Sequence, residues 1–102
     1  MTYTIHGERM TSREAAHDEL QRALDLPEYY GRNLDALWDM ISATDMDVIF
    51  LGVEPMLRAL GGYGCKLLST FYEAAEENPG LTLTIGEDAA EDAEDAAFEY
   101  DD

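Results

Sequence analysis

Positive charge and cysteine are what this chain has least of. Its 102 residues include six lysines and arginines against 23 aspartates and glutamates, which gives a formal net charge of −17. Because phosphate recognition needs a basic patch, this balance argues against direct nucleic-acid binding and favours a basic partner. The single cysteine, Cys65, excludes an internal disulfide, so nothing indicates an oxidising compartment.

Long apolar runs and a leader segment are also missing. No stretch reaches the roughly 20 apolar residues that a membrane-spanning helix needs. No positively charged segment followed by an apolar one stands at the N-terminus. We therefore expect a cytoplasmic protein without membrane association, and the composition gives no reason to expect a cofactor.

Negative charge is concentrated towards the C-terminus. Residues 86–102 contain nine acids and no base, whereas residues 1–85 contain fourteen acids and six bases. High charge and low hydrophobicity are typical of disorder. We predict one folded domain over residues 1–85, followed by a disordered acidic tail over residues 86–102. In the alternative, the tail is an acidic arm that contacts a basic partner or the chain's own arginines and lysines.

Short apolar strands alternate with amphipathic helices along residues 1–85. Because the connections are long enough for crossover helices, the pattern predicts an α/β fold with a three-stranded parallel sheet packed by about four helices. The apolar run from Asp47 to Leu51 is typical of a buried strand of such a sheet. The predicted strands are residues 3–6, 47–51 and 81–85, and the predicted helices are about residues 13–24, 34–42, 55–60 and 65–77.

Two histidines and the cysteine are the remaining chemically distinctive residues. His17 lies on the first predicted helix, and no nucleophile stands at a recognisable spacing from it. We therefore interpret His17 as a surface residue, and His6 in the same way. Cys65 is predicted to be a small apolar residue at the start of the last helix, and residues 61–64 before it are predicted to form a turn.

The helix predicted at residues 34–42 has two different sides. Asn33 is a favourable N-cap, since its side-chain oxygen can accept from backbone N–H groups of the first turn. The apolar stripe consists of Leu34, Leu37, Trp38 and Ile41, and the opposite side carries Asp35, Asp39 and Ser42. The two aspartates are four residues apart, so their mutual repulsion costs about 0.2–0.5 kcal/mol. A solvated acidic face and a functional one are both compatible with this pattern.

The segment of residues 26–39, LPEYYGRNLDALWD, combines two tyrosines, a glycine, an asparagine, a tryptophan and two spaced aspartates. This run resembles the signature segment of the barstar family, intracellular inhibitors of barnase-type ribonucleases. Weaker similarity extends through the first 85 residues. The resemblance implies a three-stranded parallel sheet packed by helices and no enzymatic activity. It also implies a monomer that forms a one-to-one complex with a basic ribonuclease or ribonuclease toxin.

The resemblance implies roles for individual residues as well. Asp39 would replace an RNA phosphate in the basic cleft of the enzyme, and Asp35 would pair with a second basic group. The other implied contacts with the enzyme are Tyr29, Gly31, Asn33, Trp38, Ser42 and Glu73. Trp38 is at the edge of the apolar stripe, so we expect only a partial contact there.

Arg32 and Thr44 depart from the family pattern. Arg32 places a positive charge where the pattern carries an acid, and Thr44 stands where the pattern has an aromatic contact. Arg32 could pair with Asp35 or Glu28, or it could adapt the interface to another enzyme. Thr44 implies the loss of some binding surface.

Three other functions share parts of this pattern. A hydrolase would use Asp35 and Asp39, but acid–base catalysis needs two carboxylates in different environments, and both project from one helix face. A metal-binding protein would need a calcium loop or a Cys/His cluster, and the sequence has neither, so no metal site is predicted. An acidic protein that mimics nucleic acid towards another basic partner has the same electrostatics.

Overall fold

Two α-helices follow each of the first two strands in the computed structural model, which describes residues 1–86. The strands are β1 (Thr2–His6), β2 (Met46–Leu51) and β3 (Leu81–Ile85), and the helices are α1 (Arg13–Ala23), α2 (Leu34–Ser42), α3 (Val53–Leu60) and α4 (Gly62–Glu77). A short 3₁₀ helix, Gly7–Arg9, follows β1. Within residues 1–86, no helix has the length and apolar character needed to cross a membrane.

The three strands form one parallel sheet in the order β1-β2-β3. The predicted α/β fold, with a three-stranded parallel sheet and four helices, is confirmed. Of the predicted acidic tail only Gly86 is described, and its N–H donates to the Phe50 carbonyl 3.0 Å away. The rest of that prediction, residues 87–102, lies outside the described residues.

The central strand β2 is buried on one face only. Val48 and Phe50 are fully buried, whereas Asp47 is exposed and Ile49 is half-buried. Because successive side chains of a strand point to opposite faces, the helices cover the face of Val48 and Phe50. The other face is more polar, and the Thr82 hydroxyl donates to Asp47 Oδ1 there at 2.6 Å. The sheet therefore lies at one side of the molecule, and the helices form the other layer.

The hydrophobic core lies between this sheet and the helices. Phe50 of β2 and Phe71 of α4 pack edge to face, with ring centroids 5.7 Å apart. Other fully buried side chains from every layer surround them: Ile5, Met10, Leu20, Leu37, Ile41, Met56 and Leu67. Leu37 and Ile41 belong to α2, so the core fixes that helix and thereby the direction of its outer face.

Helix α4 begins earlier than the sequence predicts. It starts at Gly62, so most of the predicted turn is its first helical turn. Gly64 is buried, and a Cβ there would lie 2.8 Å from the Met56 sulfur, so a glycine allows α3 and α4 to approach. Cys65 lies in the first turn of α4, at the start of the helix as predicted, and its side chain is exposed. Helix α3 likewise begins two residues before Pro55.

Candidate protein-binding surface

Helix α2 is held by the core on one side and presents acids on the other. Asn33 caps it as predicted, because its Oδ1 accepts from the Ala36 N–H at 2.7 Å. Leu37 and Ile41 are fully buried, and Trp38 is half-buried against the core. The predicted apolar stripe is therefore confirmed. A capped helix with a buried stripe fixes the backbone positions from which its outer side chains project.

The outer side of α2 carries Asp35 and Asp39, one helical turn apart. Both are exposed, and Ser42, on the same side, is half-buried. Among residues 1–86, no arginine, lysine or histidine lies within salt-bridge distance of either aspartate. Asp35 is in the first turn, where the helix dipole stabilises a negative charge. The helix thus displays two carboxylates whose attraction for cations is not satisfied within this part of the chain.

The loop before α2 separates two neighbouring tyrosines. The Pro27 carbonyl accepts from the Tyr30 N–H and from Gln21 Nε2, each at 3.0 Å, which closes a turn against α1. Tyr30 is 3% exposed, whereas Tyr29 is 81% exposed. One ring anchors the loop in the core, and the other is free to contact a partner.

The Arg32 side chain bonds to residues of α1 and not to Asp35 or Glu28. Its guanidinium donates to Asp18 Oδ1 at 2.6 Å and to Gln21 Oε1 at 3.0 Å, and it also donates to the Glu14 carbonyl at 3.2 Å. The prediction that Arg32 pairs with Asp35 or Glu28 is therefore wrong. The backbone of Arg32 is left-handed, with φ of 57°, and this conformation directs the chain from the loop into α2.

His17 is a buried hub, and its interpretation as a surface residue was wrong. It is 3% exposed, its Nδ1 lies 2.7 Å from the Tyr30 hydroxyl, and its Nε2 lies 2.7 Å from the Tyr63 hydroxyl. The imidazole therefore joins α1, the loop and the start of α4. The sequence carried a usable signal, since His17 is three residues before Leu20 and seven before Leu24, on the apolar side of α1.

The environment of this hub favours a neutral imidazole. Burial lowers the pKa of His17 below its usual value, the Arg32 charge lowers it further, and Asp18 opposes this in part. Burial raises the pKa of Tyr30, and it also raises that of Tyr63. A neutral histidine donates from one ring nitrogen and accepts at the other, so it can serve both hydroxyls at once.

This pKa shift predicts how stability depends on pH. Because the pKa of His17 is lower in the folded state, the unfolded chain binds more protons between that pKa and about 6.5, the value of a free histidine. The free energy of unfolding should therefore fall as the pH decreases from 7 through this interval. Urea titrations at several pH values measure the slope. The His17→Gln protein should lack it, and the His6→Gln protein should keep it; equal slopes in all three proteins would contradict the prediction.

A buried carboxylate, which sequence reasoning missed, holds α1 against β1. Glu19 is 4% exposed, and its carboxylate accepts from the His6 backbone N–H at 2.9 Å and from Arg22 at 2.7 and 3.1 Å. Burial raises the pKa of Glu19, but the bonds from Arg22 and His6 and the charge of Arg9 outweigh it, so the net shift is downward. Glu19 has a structural role away from α2.

Two further positions lie around helix α2. Glu73 is exposed on α4, the helix packed against α2. Thr44 ends the other side of the surface: its hydroxyl donates to the Met40 carbonyl at 2.9 Å, and its own carbonyl accepts from Asn78 at 3.1 Å. Thr44 thus closes the last turn of α2 without adding an aromatic ring.

The arrangement suits binding better than catalysis. Asp35 and Asp39 are both exposed, whereas an acid–base pair needs two contrasting environments. Over residues 1–86, no three His, Cys, Asp or Glu side chains come together in a way that could hold a metal ion. What the surface offers is two carboxylates on a rigid helix beside an exposed tyrosine, which suits a cationic partner.

Comparison with known proteins identifies the family. The family model described as Barstar (barnase inhibitor) matches residues 1–99, further than the resemblance noted from the sequence. A Bacillus subtilis (strain 168) protein named "Putative ribonuclease inhibitor YrdF" is 38% identical over 76 residues, which cover 72% of this chain and 84% of that protein. The chain belongs to the barstar family.

Proposed function

We propose that this chain inhibits a barnase-type ribonuclease by inserting the acidic side of α2 into the enzyme's basic active site. The family is one of inhibitors and not of enzymes, which supports a barnase-inhibitor-like role. The observation that carries the mechanism is the pair Asp35 and Asp39, exposed on a capped helix and without a basic partner among residues 1–86. The inhibitor acts in the cytoplasm as a monomer, in a one-to-one complex.

Asp39 takes the place of an RNA phosphate. A ribonuclease cleft holds phosphate with cationic side chains, and a carboxylate can accept the same paired hydrogen bonds from guanidinium groups. Because a carboxylate contains no scissile phosphodiester bond, it occupies the site without reacting. Asp35 pairs with a second cation, and the repulsion between the two aspartates is relieved when those cations arrive.

The neighbouring residues extend the contact. Tyr29 packs on the enzyme with its exposed ring, and α4 contributes Glu73 as a further acid. Ser42, Trp38, Asn33 and the Gly31 backbone add smaller contacts at the border of this surface. Since α2 and the loop are already ordered by the core, little conformational entropy is lost on binding.

The net charge of −17 makes association fast and sensitive to salt. We expect wild-type protein to inhibit the enzyme stoichiometrically in RNA-cleavage assays. We expect the association rate constant to fall at least about tenfold between 10 mM and 500 mM salt. Stopped-flow fluorescence of Trp38, the single tryptophan, measures this constant.

The choice of enzyme decides how the test is read. Barnase and other barnase-type ribonucleases, including any encoded beside this gene, form the panel. Inhibition of none of them would contradict the proposal, and a basic protein recovered by pull-down would then indicate an acidic mimic with another target. Inhibition of an enzyme from the same cell identifies an immunity protein, whereas inhibition of a competitor's enzyme identifies an antitoxin used in defence.

A further inference from the structure

Four of the six basic residues are paired with carboxylates. The pairs are Arg9–Glu19 at 3.8 Å, Arg22–Glu19 at 2.7 Å, Arg32–Asp18 at 2.6 Å and Arg58–Glu54 at 3.4 Å. Arg13 and Lys66 have no such partner among residues 1–86. In a chain with almost four acids for each base, two bases that find no carboxylate within residues 1–86 are unusual.

Arg13 and Lys66 line the same groove. It has a volume of about 550 Å³ and lies between the starts of α1, α2 and α4, and its other charged lining residues are Arg32, Glu14 and Asp35. We call it the cationic groove, defined by Arg13, Arg32 and Lys66. Half of the basic residues of the protein therefore lie around one groove, directly beside the proposed binding surface.

Two of the three cations that define this groove are held by ordered groups. The Arg13 guanidinium lies over the Tyr63 ring, 4.3 Å from its centroid, and the Tyr63 hydroxyl is held by the buried His17. Arg32 is fixed on Asp18. Lys66 is exposed on the first turns of α4. Arg13 has no carboxylate partner among residues 1–86, and a stacked arginine with unpaired N–H donors can bind an anion with little further ordering.

We propose that the cationic groove binds a carboxylate of the inhibited ribonuclease, at the border of the basic cleft that receives Asp35 and Asp39. This inference rests on the proposed function. A protein carboxylate fits better than RNA, because the field of a chain of charge −17 repels a polyanion but attracts an acid carried by a basic protein. The binding surface then carries acids on α2 and cations in the groove beside them. It therefore favours basic ribonucleases that have a carboxylate at the matching position.

Lys66→Gln is the decisive variant, because two mechanisms predict opposite changes in the dissociation constant. If only the overall field mattered, removal of a positive charge from an acidic inhibitor would strengthen its binding to a basic enzyme. If Lys66 contacts a carboxylate, the dissociation constant should rise about tenfold, mainly through faster dissociation. The probe is whichever barnase-type ribonuclease the full-length wild-type chain inhibits, and stopped-flow Trp38 fluorescence separates the two rate constants.

Arg58→Gln is the matched control. It removes the same charge from an exposed side chain of α3 that is paired with Glu54 and does not line the groove. We expect unchanged or slightly tighter binding. Thermal unfolding checks that both variants fold, and Arg13→Gln, although it also loses the Tyr63 contact, should weaken binding in the same direction as Lys66→Gln.

Each outcome is decisive. Weaker binding by the Lys66→Gln protein but not by the Arg58→Gln protein supports the proposal. A charge reversal then identifies the carboxylate: an enzyme in which that acid is replaced by lysine should bind the Lys66→Glu inhibitor more tightly than it binds the wild-type inhibitor. Equal or tighter binding by the Lys66→Gln protein overturns it, whether the groove is empty or holds the chain's own C-terminal acids. In that case, if Asp39→Ala abolishes inhibition and Lys66→Gln does not, the proposed function still holds. If wild type inhibits no ribonuclease, both proposals fail.

Discussion

Asp39→Ala should raise the dissociation constant for the inhibited ribonuclease by roughly 150- to 5,000-fold, which corresponds to about 3–5 kcal/mol. Substitution of one member of a buried charge pair leaves the other member buried and uncompensated, and here the stranded group is a cluster of enzyme cations. Asp39 is exposed in the free protein and makes no salt bridge within residues 1–86, so the free energy of unfolding should hardly change. Inhibition titrations and urea unfolding measure the two quantities separately.

Asp47→Ala is the matched control for Asp39→Ala. It changes the net charge by the same amount, but Asp47 is exposed on the open face of the sheet, away from the helical layer. Its loss of the Thr82 hydrogen bond should cost about 1 kcal/mol of stability or less, without an effect on inhibition. If the two variants lost inhibition equally, only the overall field would matter, and the phosphate-mimic mechanism would be wrong.

The elements of this fold could be predicted because local signals decide them. Asn33 caps α2 as predicted, and β3 has the predicted bounds, Leu81–Ile85. Ser12, a residue type that favours this position, caps α1. The apolar spacing in α2 likewise predicts which side of that helix is buried. Whether a segment forms a helix or a strand depends on the spacing of its apolar residues and on its cap residues, and both can be read from a short stretch of sequence.

The polar contacts could not be predicted, because they join distant parts of the chain. Arg32 pairs with Asp18, fourteen residues earlier, and His17 meets Tyr63, 46 residues later. Sequence spacing offers Asp35 as the nearer partner of Arg32, but the left-handed backbone at Arg32 and the packing of the loop on α1 decide otherwise. The cationic groove depends on the same long-range packing, so it becomes visible only in three dimensions.

His17→Ala should have the largest effect on stability among the polar positions. It leaves the buried Tyr30 hydroxyl without its partner, which costs about 1–3 kcal/mol, and it opens a cavity between α1 and the loop. We expect the free energy of unfolding to fall by about 3 kcal/mol. For a domain of this size, that corresponds to a decrease in Tm of roughly 12–24 °C.

His6→Ala provides the control, since it removes the other histidine. The His6 side chain is about one-third exposed, and its carboxylate neighbour, Glu8, is 3.4 Å away. Only the backbone N–H of His6 binds Glu19, and alanine retains that group. We therefore expect a loss below about 1 kcal/mol. Equal stability of the His17→Ala and wild-type proteins in calorimetry would show that the two tyrosines find other partners.

The His17→Ala and Asp39→Ala variants should have opposite effects: the first should lower stability more than inhibition, and the second should lower inhibition more than stability. His17→Ala weakens the anchor of the loop through Tyr30, but it leaves α2 capped by Asn33 and packed on the core through Leu37. At a temperature where the variant is folded, it should therefore still inhibit the ribonuclease far better than Asp39→Ala does. A His17→Ala protein that is fully folded but inactive would mean that the loop, and not the carboxylates of α2, supplies most of the binding free energy.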